Sequence, residues 1–235
     1  MNPNNTKDPL ALKDRVLYED NHLLIVNKRA GEIVQGDQTG DRPLLEVVRD
    51  YIRVIGNKPG NVFCGLVHRL DRPVSGAVVY ARTSKALTRM NELIKKREIE
   101  KVYWAIVEGK PAQSEAHLTH YLFRNEKLNK SIVSTTEKKD WQRAELEYKV
   151  LASSERYSVL EVRLLTGRHH QIRAQLSSIG CPIKGDLKYG ARRSNEDGSI
   201  CLHARRVAFE HPVSHEMIDV VAEPFNVLFH KILNA

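Results

Sequence analysis

The run "KVYWAIVEG" at 101–109 constrains the fold more than any other stretch. It is apolar on both alternating faces, with Val102, Trp104 and Ile106 on one and Tyr103 on the other. Successive strand residues face opposite sides of a sheet, so this run belongs at a centre covered on both faces. Other strand-like runs surround it in the sequence. "RVLYED" and "HLLIVNK" meet at the turn pair Asp20-Asn21. "VFCGLV" and "GAVVYA" flank a polar connection. "WQRAELEYKVL" precedes "YSVLEVRLL", in which Leu160, Val162 and Leu164 alternate with Glu161 and Arg163. "CLHARRVAFEHP" and "EMIDVVAEP" form a last pair. Residues 111–140 are less patterned and read as a strand pair or an inserted arm.

Helical spacing is rarer. Asp41 is a candidate cap for a helix through Ile55, with Pro43 in its first turn and Leu44, Leu45, Val47, Val48, Tyr51, Ile52 and Ile55 as its stripe. Thr83 or Ser84 starts a second, with Leu87, Met90, Leu93 and Ile94 inward. Ile172, Leu176 and Ile179 mark a third, which Gly180 closes. Pro224 opens a closing helix. Helices and strands are interspersed without strict βαβ alternation, and several strand pairs have short connections. The expected class is α+β with a mainly antiparallel sheet, in one domain. Residues 1–15 are polar and rich in Asn and Pro, and read as a flexible tail.

Composition narrows the function. The net charge of +8 over 235 residues, with a pI near 9.4, favours polyanionic partners. Lysines and arginines gather at 95–101, 124–143 and 184–193; each cluster alone reads as a solvated face, the three together less easily. No apolar run reaches the roughly 18 residues of a membrane span, and no secretory signal is evident. Cys64, Cys181 and Cys201 are scattered and odd in number, which argues against a disulfide framework and for the reducing cytoplasm.

"VHRLDRPVSGAVVYA" at 67–81 sets Asp71 between Arg69 and Arg72. In extended chain Arg69 and Asp71 share a face, and Pro73 biases Arg72 toward extended geometry. Neighbouring guanidiniums hold such a carboxylate ionised, which suits a nucleophile or base. An ordinary ion pair stitching a turn reads equally well. "LLTGRHHQIRAQLSSIG" follows a strand and opens a helix, whose N-terminal end can receive an anion. There His169 and Arg173 share a helical face. An inward Arg173 needs an acidic partner, with Asp71 the obvious candidate; another carboxylate would serve as a structural pair. His169 and His170 lack metal-ligand spacing and read as hydrogen-bonding or RNA-contacting groups. Tyr103 either packs in the core or lies under a base at a cleft floor. "PIKGDLKYG", with Lys184 and Lys188, is a phosphate-contacting rim or an ordinary surface loop.

Together, "HRLDRPVSG", "KVYWAIVEG", "TGRHHQIRAQLSSIGCPIKGDLKYG" and "LHARRVAFEHP" resemble the RluA family of RNA pseudouridine synthases. The likeness runs from about residue 16 to the end. It implies a single catalytic domain over 16–235, with a bent mixed sheet, flanking helices and a central RNA-binding cleft. It implies Asp71 as the catalytic carboxylate, Tyr103 stacked on the target uracil, and Arg173 paired with the aspartate. It places Arg69 on the RNA, and the surrounding His68, Arg72, Arg168, His169, His170, Lys184 and Lys188 are the other expected RNA contacts. It implies no metal or nucleotide cofactor. It implies ribosomal or transfer RNA as the partner and no membrane, and a monomer is expected. About 15 residues precede the match, too few for the separate RNA-binding domain of many relatives, so recognition is expected from the catalytic domain's own basic rim.

Three positions depart from the family pattern. Val74 replaces a Thr, Arg29 replaces a Pro, and Gln175 stands where His is common. Val74 and Gln175 are expected to bear on substrate fit. Two other functions fit the same residues: a base-excising hydrolase and a non-catalytic RNA-binding protein. A hydrolase usually pairs two carboxylates around a water, whereas these motifs offer one carboxylate and arginines.

Overall fold

A computed structural model describes residues 9–234. The strands, in chain order, are β1 (Val16–Glu19), β2 (Leu23–Lys28), β3 (Gly65–Leu66), β4 (Ser75–Ala81), β5 (Glu100–Glu108), β6 (Glu115–Asn125), β7 (Lys130–Ser134), β8 (Gln142–Ser153), β9 (Tyr157–Leu164), β10 (Leu202–Glu210) and β11 (Met217–Val221). The helices are α1 (Leu44–Ile55), α2 (Ser84–Lys96), α3 (Gln171–Ser178) and α4 (Leu228–Leu233). The class is α+β, and every strand pairing described below is antiparallel. The chain packs as two compact units, Met1–Ile99 with Arg206–Glu223, and Glu100–Arg205 with Pro224–Ala235.

In the first unit, Asp20 makes the β1–β2 turn. Its Oδ1 accepts the His22 and Leu23 amides, both at 2.7 Å. β2 is buried along its whole length and pairs with β4, which also pairs with β3. β11 pairs with Arg206–Glu210 of β10. Leu23, Ile25, Val79, Met90, Phe209 and Val220 form the core here. Thr83 caps α2 by accepting the Ala86 amide at 3.1 Å. Asp41 does not cap α1. The helix begins after Pro43, and the first amides, Leu44 and Leu45, go to the Ile33 and Val34 carbonyls. Asp41 instead pairs with Arg72. The expected tail is also corrected. Pro9–Arg15 is a 3-10 helix, anchored by buried Leu12 and by Arg15 Nη1 on both Glu32 oxygens at 2.9 and 2.7 Å. The rest of that stretch, residues 1–8, lies outside the described residues.

The second unit holds an antiparallel sheet in the order β5-β9-β8-β6-β7. β5 is central within it. One edge pairs with β9, and on the other the Ile106 amide donates to the Cys201 carbonyl and the Ile106 carbonyl accepts the Lys184 amide. Residues 111–140 therefore contain a strand pair, β6–β7. The Trp104 face of β5 is covered by α4, with Trp104 and Phe229 ring centroids 6.2 Å apart. α4 starts at Leu228 rather than at Pro224, because Asn226 Oδ1 receives the Leu228 amide and sets the first turn there. Gly180, at φ +79°, closes α3 as expected. Its amide and that of Cys181 return to the Ser177 and Leu176 carbonyls. All three cysteines are free and buried. Among the described residues, no helix is long and apolar enough to cross a membrane.

Candidate active site

The segment from Val67 to Val74 mixes buried and exposed residues and ends in a turn. Val67, Leu70 and Val74 are buried, Arg69 and Arg72 are exposed, and Asp71 is half-buried. The Val74 amide donates to the Asp71 carbonyl at 3.0 Å and closes the turn. His68 Nε2 accepts the Val79 amide at 3.3 Å, tying the segment to β4. Arg72 leaves the turn for Asp41 and for Thr39 Oγ1, the latter at 3.3 Å. Arg69 makes no hydrogen bond or ion pair among the described residues. Arg72 thus has a carboxylate of its own in Asp41, and Arg69 is exposed.

Beneath this turn lies Lys28, the last residue of β2 and fully buried. Its Nζ donates to the carbonyls of Val74 (2.6 Å), Arg29 (3.0 Å), Arg72 (3.1 Å) and Asp71 (3.4 Å). An ammonium has three N–H groups, so these acceptors saturate it. Burial pushes its pKa down to about 7, while the charges of Glu32 and Asp71 work the other way. The turn is thus fastened to the interior through its backbone.

In the second unit, Arg173 is buried on α3 and holds Asp186 in a fork, Nε–Oδ2 at 2.7 Å and Nη2–Oδ1 at 2.9 Å. Its guanidinium also lies 5.1 Å from the Tyr189 ring centre. The Tyr189 hydroxyl accepts the Ser131 amide at 2.7 Å and lies 3.0 Å from His170 Nδ1. His169 stacks on His170, centroids 3.8 Å apart, and its Nδ1 is 3.0 Å from Ser131 Oγ. His170 precedes α3 at φ +51°, so His169 lies outside the helix and does not share a helical face with Arg173. Gln171 Oε1 accepts the Arg168 amide at 3.0 Å and the Thr166 hydroxyl at 2.7 Å. Tyr103 is buried in β5 opposite Val162 of β9.

The sequence matches the family described as RNA pseudouridylate synthase over residues 22–178. The chain belongs to the RNA pseudouridylate synthase family. It is 34% identical to an uncharacterised RNA pseudouridine synthase of Bacillus subtilis, over 89% of this chain and 68% of that one. It is 31% identical to ribosomal large subunit pseudouridine synthase D of Zymomonas mobilis, over 92% and 71%. Synthase C of Vibrio parahaemolyticus is also 31% identical, over 94% and 69%. The fold matches human RNA pseudouridylate synthase domain containing 4 with a TM-score of 0.79 at 24% identity, over 96% of this chain and 95% of that one.

In this pseudouridine synthase the expected RNA contacts divide by what already holds them. Arg69 is exposed and Lys188 is exposed, the latter with Nζ on the Asn129 carbonyl at 3.0 Å. Lys184 turns inward to Asn195 Oδ1 at 2.5 Å, and Arg168 Nε donates to the Arg143 carbonyl at 3.1 Å. Gln175 is fully buried, its Nε2 facing His120 Nδ1 and the Leu118 and Ala144 carbonyls. It fastens α3 to β6 and β8, so this departure serves packing, and Val74 is buried behind the Asp71 turn. Sequence reasoning missed Lys28 and Asp186. Lys28 was visible as a cation ending the apolar run "LLIVN", and Asp186 as the nearest following acid to an inward arginine.

Proposed function

We propose that Asp71 is the catalytic carboxylate of this pseudouridine synthase, that Tyr103 stacks on the target uracil, and that Arg173 is the cation serving the aspartate. The reaction breaks C1′–N1, turns the uracil over, and forms C5–C1′. N1 takes up a proton and C5 gives one up, so the atoms balance without a co-reactant. Cleavage leaves positive character on the sugar, as in glycoside chemistry. Asp71 either adds to C1′ or removes the C2′ proton. The observation that carries the reading is a half-buried carboxylate on a turn whose backbone is clamped from the interior by Lys28. Such fastening fixes a reacting group at little entropic cost.

The substrate we propose is structured RNA, with large-subunit ribosomal RNA first among candidates because two relatives bear that name; transfer RNA is the other. A paired uridine must leave its stack, at a cost of a few kcal/mol. Arg69, exposed two residues before Asp71, is placed to fill the vacated space, and the remaining basic side chains supply phosphate contacts. The cytoplasm is the proposed compartment and a monomer the proposed state.

The experiment uses transcripts carrying tritium at uridine C5. Wild type releases tritium and leaves nucleotide mass unchanged, whereas Asp71→Asn loses activity by at least roughly 10²–10⁴-fold and still binds RNA. Free uracil as product would make the protein a hydrolase. Undiminished turnover in Asp71→Asn would remove the aspartate from the chemistry.

A further inference from the structure

Lys101 and Tyr103 stand two apart on β5, so their side chains leave the same face of the strand. The Lys101 ammonium lies beside the loop that opens α3: a Cβ built on Gly167 would sit 3.7 Å from its Nζ. The side chain is half-buried, yet it makes no hydrogen bond or ion pair among the described residues. Burial lowers its pKa, and no neighbouring carboxylate opposes that shift. Two other inward lysines differ. Lys28 has its carbonyls and Lys184 has Asn195. A partly desolvated cation without a partner is the expected state of a group whose anion arrives with a ligand.

Gly167 is exposed and has no side chain, so the approach to Lys101 Nζ is open from that side. Resting on the reading that Tyr103 stacks on the target base, we propose that Lys101 binds an RNA backbone phosphate adjoining the nucleotide on Tyr103. A base on the ring and a phosphate two residues along the strand would fix both ends of one nucleotide. The contact is a point charge on a phosphate oxygen, which is what an ammonium supplies.

RNA binding as a function of salt tests this, with unmodified large-subunit ribosomal RNA fragments and transfer RNA transcripts as probes. Lys101→Met is expected to flatten the slope of log K against log salt by about 0.7–0.9, the value of one phosphate contact. Lys101→Arg is expected to restore the slope. Unchanged slope and affinity in a normally melting Lys101→Met would overturn the proposal and leave Lys101 as a stem covering apolar surface. Should Lys101→Met not fold, reductive methylation of wild type decides: RNA shields Lys101 if the contact exists, and equal labelling with and without RNA overturns it. Shielding by inorganic phosphate alone at equal phosphate concentration would assign the site to a free anion and overturn the RNA assignment. Turnover is followed in parallel on the same probes. Wild-type turnover with an unchanged slope in Lys101→Met sinks this inference alone. A slope change without wild-type turnover supports the phosphate contact and counts against the isomerase reading.

Discussion

Lys28 Nζ lies 2.6 Å from the Val74 carbonyl oxygen, at the far end of the turn that begins with Asp71. One buried ammonium thereby fixes both flanks of the proposed catalytic carboxylate. Methionine matches the stem but donates nothing, and hydrogen bonds to a charged group are worth about 1.5–3 kcal/mol. Lys28→Met is expected to lower kcat by roughly 10- to 100-fold, since about 1.4 kcal/mol is tenfold, with RNA affinity within about threefold of wild type. Single-turnover rates and filter binding measure the two separately. An affinity loss that matches the rate loss would place Lys28 in RNA binding rather than in fixing the turn.

The same lysine makes stability depend on pH. Its pKa falls from 10.5 to about 7 on folding. Between those values the unfolded chain holds a proton that the native chain does not, so stability rises with pH across that window. The contribution is complete above the unfolded value and is lost as pH falls through about 7. Relative to Lys28→Met, wild type is expected to gain up to about 1.4 kcal/mol per pH unit. Urea unfolding at about pH 7.5 and about pH 9.5 measures the difference. A flat difference would mean that the carbonyls keep the ammonium charged throughout.

Arg173 and Asp186 make a buried fork, and removing the charge of one weakens the burial of the other. Asp186→Asn keeps the shape, removes the charge and is expected to cost about 3–5 kcal/mol. For a chain of this size that lowers Tm by roughly 10 °C. Arg173→Met with Asp186→Leu is expected to recover part of the loss, because it removes both charges of the fork together. Calorimetry reads both. A double variant as unstable as Asp186→Asn would show that Arg173 is held by more than this pair.

Much of the fold was legible because its signals are local. Alternation in "YSVLEVRLL", the Asp20-Asn21 turn and Thr83 before α2 each need only neighbouring residues, and each appears in place. Asp41 resembled a cap equally well, but Pro43 displaced the helix start and Arg72 took the carboxylate. That outcome depends on chain segments about thirty residues apart, which spacing alone does not encode. The pairing of Arg173 with Asp186 is of the same kind. The need of an inward arginine for an acid follows from charge burial; that Asp186 is one acid to answer it follows from how the 182–190 loop folds back.

Gly185 carries that loop past a crowded point. Its φ is +91°, and an added Cβ would meet Asn195 Nδ2 and the Ser199 carbonyl oxygen, each at 2.7 Å. Asn195 is not free to yield, since its Nδ2 donates to that same Ser199 carbonyl at 2.9 Å and its Oδ1 holds Lys184 at 2.5 Å. Gly185→Ala therefore combines backbone strain with a clash against backbone, and is expected to cost roughly 2 kcal/mol or more. Gly190→Ala supplies the comparison. Its φ is +95°, but nothing lies within 4 Å of the added carbon, so strain acts alone and the cost is about 1 kcal/mol. Chemical denaturation of the two variants separates the effects. Because Gly185 adjoins Asp186, its variant is also expected to lose turnover through Arg173, whereas Gly190→Ala keeps it. Equal stability and equal activity in the two would mean that the loop relaxes around Asn195 and does not fix the Arg173 fork.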